Sequence, residues 1–124
     1  MNKSEFKLAL LSLLEQPVDG LSWDKKIAYA RLVLVEADVD KSNWDQSQKG
    51  RPWTDAELRL VLQLPPTKEN ILRLARALHR GYGSIEQIYR WAATPQREVN
   101  KKRPGDKFIQ QIKRIAKEVG WRAT

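Results

Sequence analysis

The sequence predicts an all-α protein: a tri-helical, helix-turn-helix-like core, preceded by an N-terminal helical pair and followed by a basic C-terminal helix. Three observations lead there. Apolar residues recur three and four positions apart along the chain, and no run shows the alternation of a half-buried strand. Two segments, Thr54-Asp55-Ala56-Glu57 and Ser84-Ile85-Glu86-Gln87, have the spacing of a capping box, in which a hydroxyl and a Glu or Gln three residues on satisfy each other's backbone N–H groups. Proline or glycine follows most of the periodic stretches, where helices stop.

Taken in order, the first helix is predicted from about Ser4 to Glu15, ending before Pro17. The second starts at a Ser22 cap and carries Trp23, Ile27, Ala30, Val33 and Leu34 on one side, with β-branched Val33 and Val35 leaving its last turns open. These two helices are expected to pack on each other. Lys41 to Pro52 is polar, ends in Gly and Pro and reads as a linker that Trp44 partly docks. A third helix opens at the Thr54 box, with Trp53 and Leu58 as a hydrophobic staple, and ends before Leu64-Pro65-Pro66. Thr67 caps a fourth, which carries Ile71, Leu74, Ala75 and Leu78 and ends near Arg80-Gly81. After a turn at Gly81-Tyr82-Gly83, the Ser84 box starts a short fifth helix that runs to about Ala93 and halts before Pro95. Its spacing turns Ile85, Ile88, Tyr89 and Ala92 inward and Glu86, Gln87 and Arg90 outward, with Trp91 at the border. Arg97 to Gly105, with Lys101-Lys102-Arg103, reads as a basic loop. A last helix from Asp106 to Val119 has the stripe Phe108, Ile112, Ile115 and Val119 and stops at Gly120.

With 124 residues, 41% of them hydrophobic, the chain can build one domain of ordinary size or two very small ones. Its charge of +8 is unevenly spread: Met1 to Gln48 holds 6 basic and 8 acidic residues, whereas Lys49 to Thr124 holds 17 basic and 7 acidic, a net +10. The division therefore falls between residues 1–48 and 49–124, and the second part fits a polyanion. Cysteine is absent and His79 is the sole histidine, which removes disulfide frameworks, thiol nucleophiles and sulfur-based zinc sites. Asp38, Asp40 and Asp45 imitate a calcium loop, but Asn43 stands where the turn needs glycine. Asp19 with Asp24-Lys25-Lys26 echoes a metal-dependent nuclease, yet the spacing is short and the second element begins a helix. No phosphate-cradling glycine loop or Ser-His-Asp set is present, so the expectation is a non-enzymatic protein without metal or cofactor. The apolar stretches Leu8 to Leu14 and Ile27 to Val35 are too short to span a membrane, and Glu5 and Glu15 break the signal-peptide pattern around the first, which leaves a cytoplasmic protein as the expectation.

Trp53-Thr54-Asp55-Ala56-Glu57-Leu58, then Ile71, Leu74-Ala75, Leu78 and Arg80, then Ile85, Gln87, Ile88, Arg90 and Trp91 resemble the Myb/SANT-like, homeodomain-like helix-turn-helix domains over Trp53 to Ala93. That resemblance implies a third helix in the major groove of double-stranded DNA. Gln87 would pair with adenine and Arg90 with guanine, while Glu86 would select cytosine or merely repel misplaced phosphates. Arg80, Tyr82 and Ser84 would hold a phosphate at the helix N-terminus. Arg97, Lys101, Lys102, Arg103, Lys113 and Lys117 would make salt-sensitive phosphate contacts. A second resemblance covers Gly81-Tyr82-Gly83-Ser84-Ile85-Glu86-Gln87-Ile88 and Pro104-Gly105. It points to helix-hairpin-helix modules, which grip phosphates without reading bases and can target a larger nucleic-acid enzyme.

The charge suits RNA too, and a basic face can also dock on an acidic protein as an adaptor. The N-terminal helices are expected to serve as a packing partner or homodimer interface. Trp53, Trp91 and Trp121 are expected to pack at the core or its edge. His79 is expected at a helix end on the surface.

Overall fold

In the computed structural model, which describes residues 1–122, seven α-helices follow one another with no strand among those residues. Two compact units divide the chain, the first Met1–Asp40 and the second beginning at Lys41.

The N-terminal unit is a helical hairpin. Helix α1 (Lys3–Glu15) opens on Asn2, whose Oδ1 accepts from the Glu5 N–H at 2.8 Å, and α2 (Trp23–Lys41) continues through Val33 and Val35 without a break. A tight turn joins them: Leu21 N–H donates to the Val18 carbonyl at 3.1 Å, and Gly20 takes the left-handed φ of 77° that the turn requires. Lys26 Nζ then donates to the carbonyls of Leu14 at 2.8 Å and Gln16 at 2.5 Å, closing orphan acceptors at the end of α1. No residue of either helix is buried.

The second unit contains α3 (Asp55–Leu62), α4 (Lys68–Leu78), α5 (Tyr82–Ala93), α6 (Gln96–Lys102) and α7 (Lys107–Val119). Leu58, Val61 and Leu62 from α3, Ile85, Ile88 and Tyr89 from α5, and Ile112 and Ile115 from α7 form its core, joined by Ile71, Leu74 and Ala75 of α4. Each such aliphatic side chain contributes about 1.5–3 kcal/mol on burial. The expected inner faces of α4 and α5 are those observed, and Trp44, Trp53, Trp91 and Trp121 pack at the core's edge. Helix α7 packs on both α3 and α5, so it completes the core instead of lying outside a three-helix unit.

The Thr54 capping box forms in both directions, with Glu57 N–H donating to Thr54 Oγ1 at 3.1 Å and Thr54 N–H donating to Glu57 Oε1 at 3.0 Å. Thr67 caps α4 and Asp106 caps α7, while Gly120 ends α7 at a φ of 70°. Helix α4 stops at Leu78, short of Arg80-Gly81, because His79 takes the left-handed conformation and Arg80 N–H turns back to the Ala75 carbonyl at 2.9 Å.

Two expectations about local structure are corrected. Helix α5 begins at Tyr82, so Gly81-Tyr82-Gly83 is its cap and first residues, not a turn before it. Ser84 lies inside the first turn, its N–H already donated to the Gly81 carbonyl, and no side chain caps this helix. The segment expected as a basic loop is in large part α6: Pro95 supplies a preset φ before it, Val99 anchors it in the core, and Gln96 bonds Asn100 across one turn.

Candidate nucleic-acid interface

Arg80 determines how the polar part of the second unit is built. Only 2% exposed, it uses all five guanidinium N–H groups internally. Nε and Nη2 meet the two Glu57 carboxylate oxygens, each at 3.1 Å; Nη1 donates to the carbonyls of Gln48 at 3.0 Å and Arg51 at 2.9 Å; Nη2 also donates to that of Pro52 at 3.1 Å. Its Cζ lies 3.8 Å from the centre of the Trp53 ring. Burial pushes the Glu57 carboxyl up, but Arg80 and the Thr54 N–H outweigh that and hold it below its ordinary value. Trp44 Nε1 donates to the Arg80 carbonyl at 2.8 Å, and Gln48 N–H to that of His79 at 3.0 Å. The segment expected as a linker is thus fixed to the C-terminal unit, and Arg80, expected to hold a phosphate, is withdrawn from any ligand.

Lys113 is similarly engaged. Its Nζ donates to the carbonyls of Ala92, at 3.1 Å, and Thr94, closing the C-terminal end of α5, and burial pushes its ammonium pKa down. The expected phosphate contact becomes a helix cap.

The carboxylates of this unit are largely occupied as well. Asp55 pairs with Arg114 at 2.9 Å and also accepts from Gln111, Arg59 meets Glu118 at 2.5 Å, and Arg73 meets Glu69 at 2.7 Å. Hydrogen bonding by Arg114 lowers the Asp55 pKa, and by Arg59 that of Glu118. Asp106 is occupied in capping α7, and Asp45 lies 3.4 Å from His79, which sits exposed at a helix end as expected.

A set of cations is left with no internal partner. Arg97, Lys101, Lys102 and Arg103 are exposed and make no side-chain hydrogen bond or ion pair among the described residues. The same is true of Lys107, Lys117 and Arg51. Lys101 and Lys102 occupy the last turn of α6, where they also complement the helix dipole. On α5, Glu86, Gln87 and Arg90 are exposed, with no side-chain partner among the described residues, on the face opposite Ile85, Ile88 and Tyr89, as the periodicity predicts. The N–H groups expected to be open at Ser84 are displaced to Tyr82 and Gly83, the first two residues of α5. Tyr82 itself is half-buried against the core. Among the described residues no three His, Cys, Asp or Glu side chains come together as metal ligands, and no helix is long and apolar enough to cross a membrane.

Residues 47–123 match the family model described as the C-terminal domain of the uncharacterised protein PM1205. The match begins within the clamped segment, next to Gln48. The chain belongs to the PM1205 family. It is 46% identical over 121 residues to the uncharacterized protein PM1205 of Pasteurella multocida (strain Pm70), covering 96% of this chain and 97% of that protein. The similarity therefore takes in the helical hairpin as well as the basic unit. No solved structure matches the chain.

Lys107 and Arg51 were missed as candidate anion contacts in the sequence. Lys107 was hidden as the first residue of a helix, although it follows Arg103 by four positions. Arg51 was hidden in a linker whose anchoring depends on Arg80.

Proposed function

We propose that the C-terminal unit is a non-enzymatic binding module for double-stranded DNA. Arg97, Lys101, Lys102, Arg103 and Lys117 contact phosphates, and the Glu86, Gln87 and Arg90 face of α5 is presented to the groove. The observation that carries this reading is the asymmetry of ion pairing. Arginines neutralise Asp55, Glu57, Glu69 and Glu118, half of the unit's carboxylates, while the run from Arg97 to Lys107 keeps five cations unpaired among the described residues. Fixed cations without protein partners are what a polyanion exchanges for its own counterions. A helix with a buried apolar face and an outward Gln and Arg supplies the two side chains whose geometry suits adenine and guanine edges.

The same reading gives the N-terminal hairpin the task of joining two copies. Its 40 residues bury no side chain in either helix, and a unit of this size is stabilised by association. Leu10, Leu13, Leu14, Ala30, Val33 and Leu34 line an apolar groove of about 320 Å³. With 5 basic and 7 acidic residues in Met1 to Asp40, two such hairpins carry little net repulsion. A symmetric pair would offer two basic units to two half-sites.

Fluorescence anisotropy of labelled duplex DNA at several salt concentrations tests the central claim. The intact chain should bind with strong salt dependence. Replacing Lys101, Lys102 and Arg103 by alanine should weaken all duplexes alike and flatten the salt slope by about 2.7, at about 0.9 per phosphate contact. Gln87→Ala with Arg90→Ala should instead change base preference. Absence of binding at low salt would overturn the proposal and direct the search to an acidic protein partner.

A further inference from the structure

Trp53 and Phe108 pack against the core yet remain only partly buried, and both line a surface cleft of about 370 Å³. That volume lies at the lower end of small-ligand sites. Its rim carries two exposed cations with no partner among the described residues, Arg51 and Lys107. Gln111 also lines it. The Nε2 of that side chain is held by the Trp53 carbonyl at 3.0 Å and Asp55 Oδ1 at 2.9 Å, while its Oε1 accepts no hydrogen bond from the described residues. Among the described residues no carboxylate lines the cleft, and the nearby Asp55 is already paired with Arg114.

These groups specify a ligand chemistry. Two aromatic rings favour a flat, polarisable partner, two free cations favour an anion, and an amide oxygen favours an N–H donor. A nucleotide combines all three: a base to stack, a phosphate, and ring or exocyclic N–H groups. The platform is also rigid before anything binds. The Arg80 guanidinium lies over the Trp53 ring, and the Trp53 carbonyl is fixed by Gln111, so little side-chain freedom is lost on stacking. Lys107 opens α7 directly after Arg103-Pro104-Gly105-Asp106, so the cationic run that begins at Arg97 ends at this cleft. A base-paired nucleotide keeps its faces inside the helical stack and cannot use the rings.

We propose that this cleft holds one unpaired nucleotide of a bound nucleic acid, its base stacked against Phe108 and Trp53 and its phosphate met by Arg51 and Lys107. The inference rests on the nucleic-acid reading above and adds a specificity to it, for ends or gaps that expose a single-stranded nucleotide.

The test compares the intact protein's affinity for a labelled blunt duplex with that for the same duplex carrying a three-nucleotide DNA or RNA overhang. Stacking of one base should make an overhang bind about tenfold tighter. The DNA and RNA arms show which strand supplies the nucleotide. Phe108→Leu keeps an apolar side chain for the core but removes the ring, and should abolish the preference while leaving blunt-duplex affinity unchanged. Phe108→Tyr should restore it. Equal affinity for blunt and overhanging duplexes, with both tight, would overturn the cleft and leave the duplex reading standing. Undiminished preference in Phe108→Leu would overturn it as well, and no binding of any duplex would overturn both.

Discussion

Replacing Arg80 by methionine separates the two roles that this residue can be given. Methionine keeps the length and apolar character of the stem, so the loss is confined to the guanidinium. Five hydrogen bonds disappear, the carbonyls of Arg51 and Pro52 lose their donor, and that of Gln48 keeps only the Arg51 N–H. Glu57 keeps only its bonds from Thr54. Breaking a buried ion pair from one side costs about 3–5 kcal/mol. The Glu57 side chain is 19% exposed and can recover some hydration, which places the expected cost near the lower limit, at about 3 kcal/mol. For a unit of this size that corresponds to a fall in Tm of about 12–24 °C.

Circular dichroism on heating at neutral pH measures the fall. Arg80→Lys should also lose stability, because an ammonium cannot reproduce the fork or the stacking on Trp53. At a temperature where the variant remains folded, its duplex affinity should match that of the parent. A Tm within about 3 °C of the parent, less than the shift expected for 1 kcal/mol, would refute the clamp. Loss of DNA affinity in such a folded variant would return Arg80 to the phosphate contacts that the sequence suggested.

Stability should also fall at both extremes of pH. Asp55, Glu57 and Glu118 all titrate below their ordinary values when folded, so their contribution is complete above the unfolded values of 3.8 and 4.5. It is lost as the pH drops through the folded values, and urea midpoints should hold near neutrality and decline below about pH 4.5. An acid limb that is instead flat would show that these pairs add nothing. Burial pushes Tyr89 up to about 12 from 10.0, so the folded state keeps a proton that the unfolded chain releases, and stability should decline from pH 10 upward. Tyr89→Phe should remove that part of the alkaline limb, at a cost of about 1–3 kcal/mol, since the Leu64 carbonyl loses its donor while that of Val61 keeps the Leu64 N–H. In sedimentation equilibrium the intact chain should be dimeric, and Leu13→Glu with Leu34→Glu should make it monomeric without loss of the C-terminal core. A monomeric parent at micromolar concentration would remove the hairpin from the dimer interface.

The parts of the fold legible in the sequence are those decided within one or two turns of chain. The Thr54 box, the Thr67 cap, the Gly120 stop and the inward face of α5 all rest on contacts three or four residues apart, and all are present. Where the local signal competed with a distant contact, it failed. Ser84 has capping-box spacing, but Arg80 is held by carbonyls from about thirty residues earlier and its N–H turns back to Ala75, so α5 starts at once. Helix α6 has seven residues and one buried side chain, too few for a periodic signal, and its lysines dominate the reading. The cleft was illegible for the same reason. Trp53 and Phe108 are separated by more than fifty residues, and each alone reads as a staple or a stripe.

The corrections also change the electrostatics expected of the surface. The sequence offers seven cations as phosphate contacts: Arg80, Arg97, Lys101, Lys102, Arg103, Lys113 and Lys117. At about 0.9 of salt slope per phosphate, all seven would give a slope of about −6. Arg80 is bonded to Glu57 and three carbonyls, and Lys113 closes α5, so two of the seven are engaged in the fold. Five remain, for a slope of about −4.5, and adding Lys107 at the cleft gives about −5.4. Net charge is therefore a poor measure of the proposed interface. A cation counts only if the fold leaves it unpaired. Substituting Lys113 should therefore lower stability, whereas substituting Lys101 should lower the salt slope.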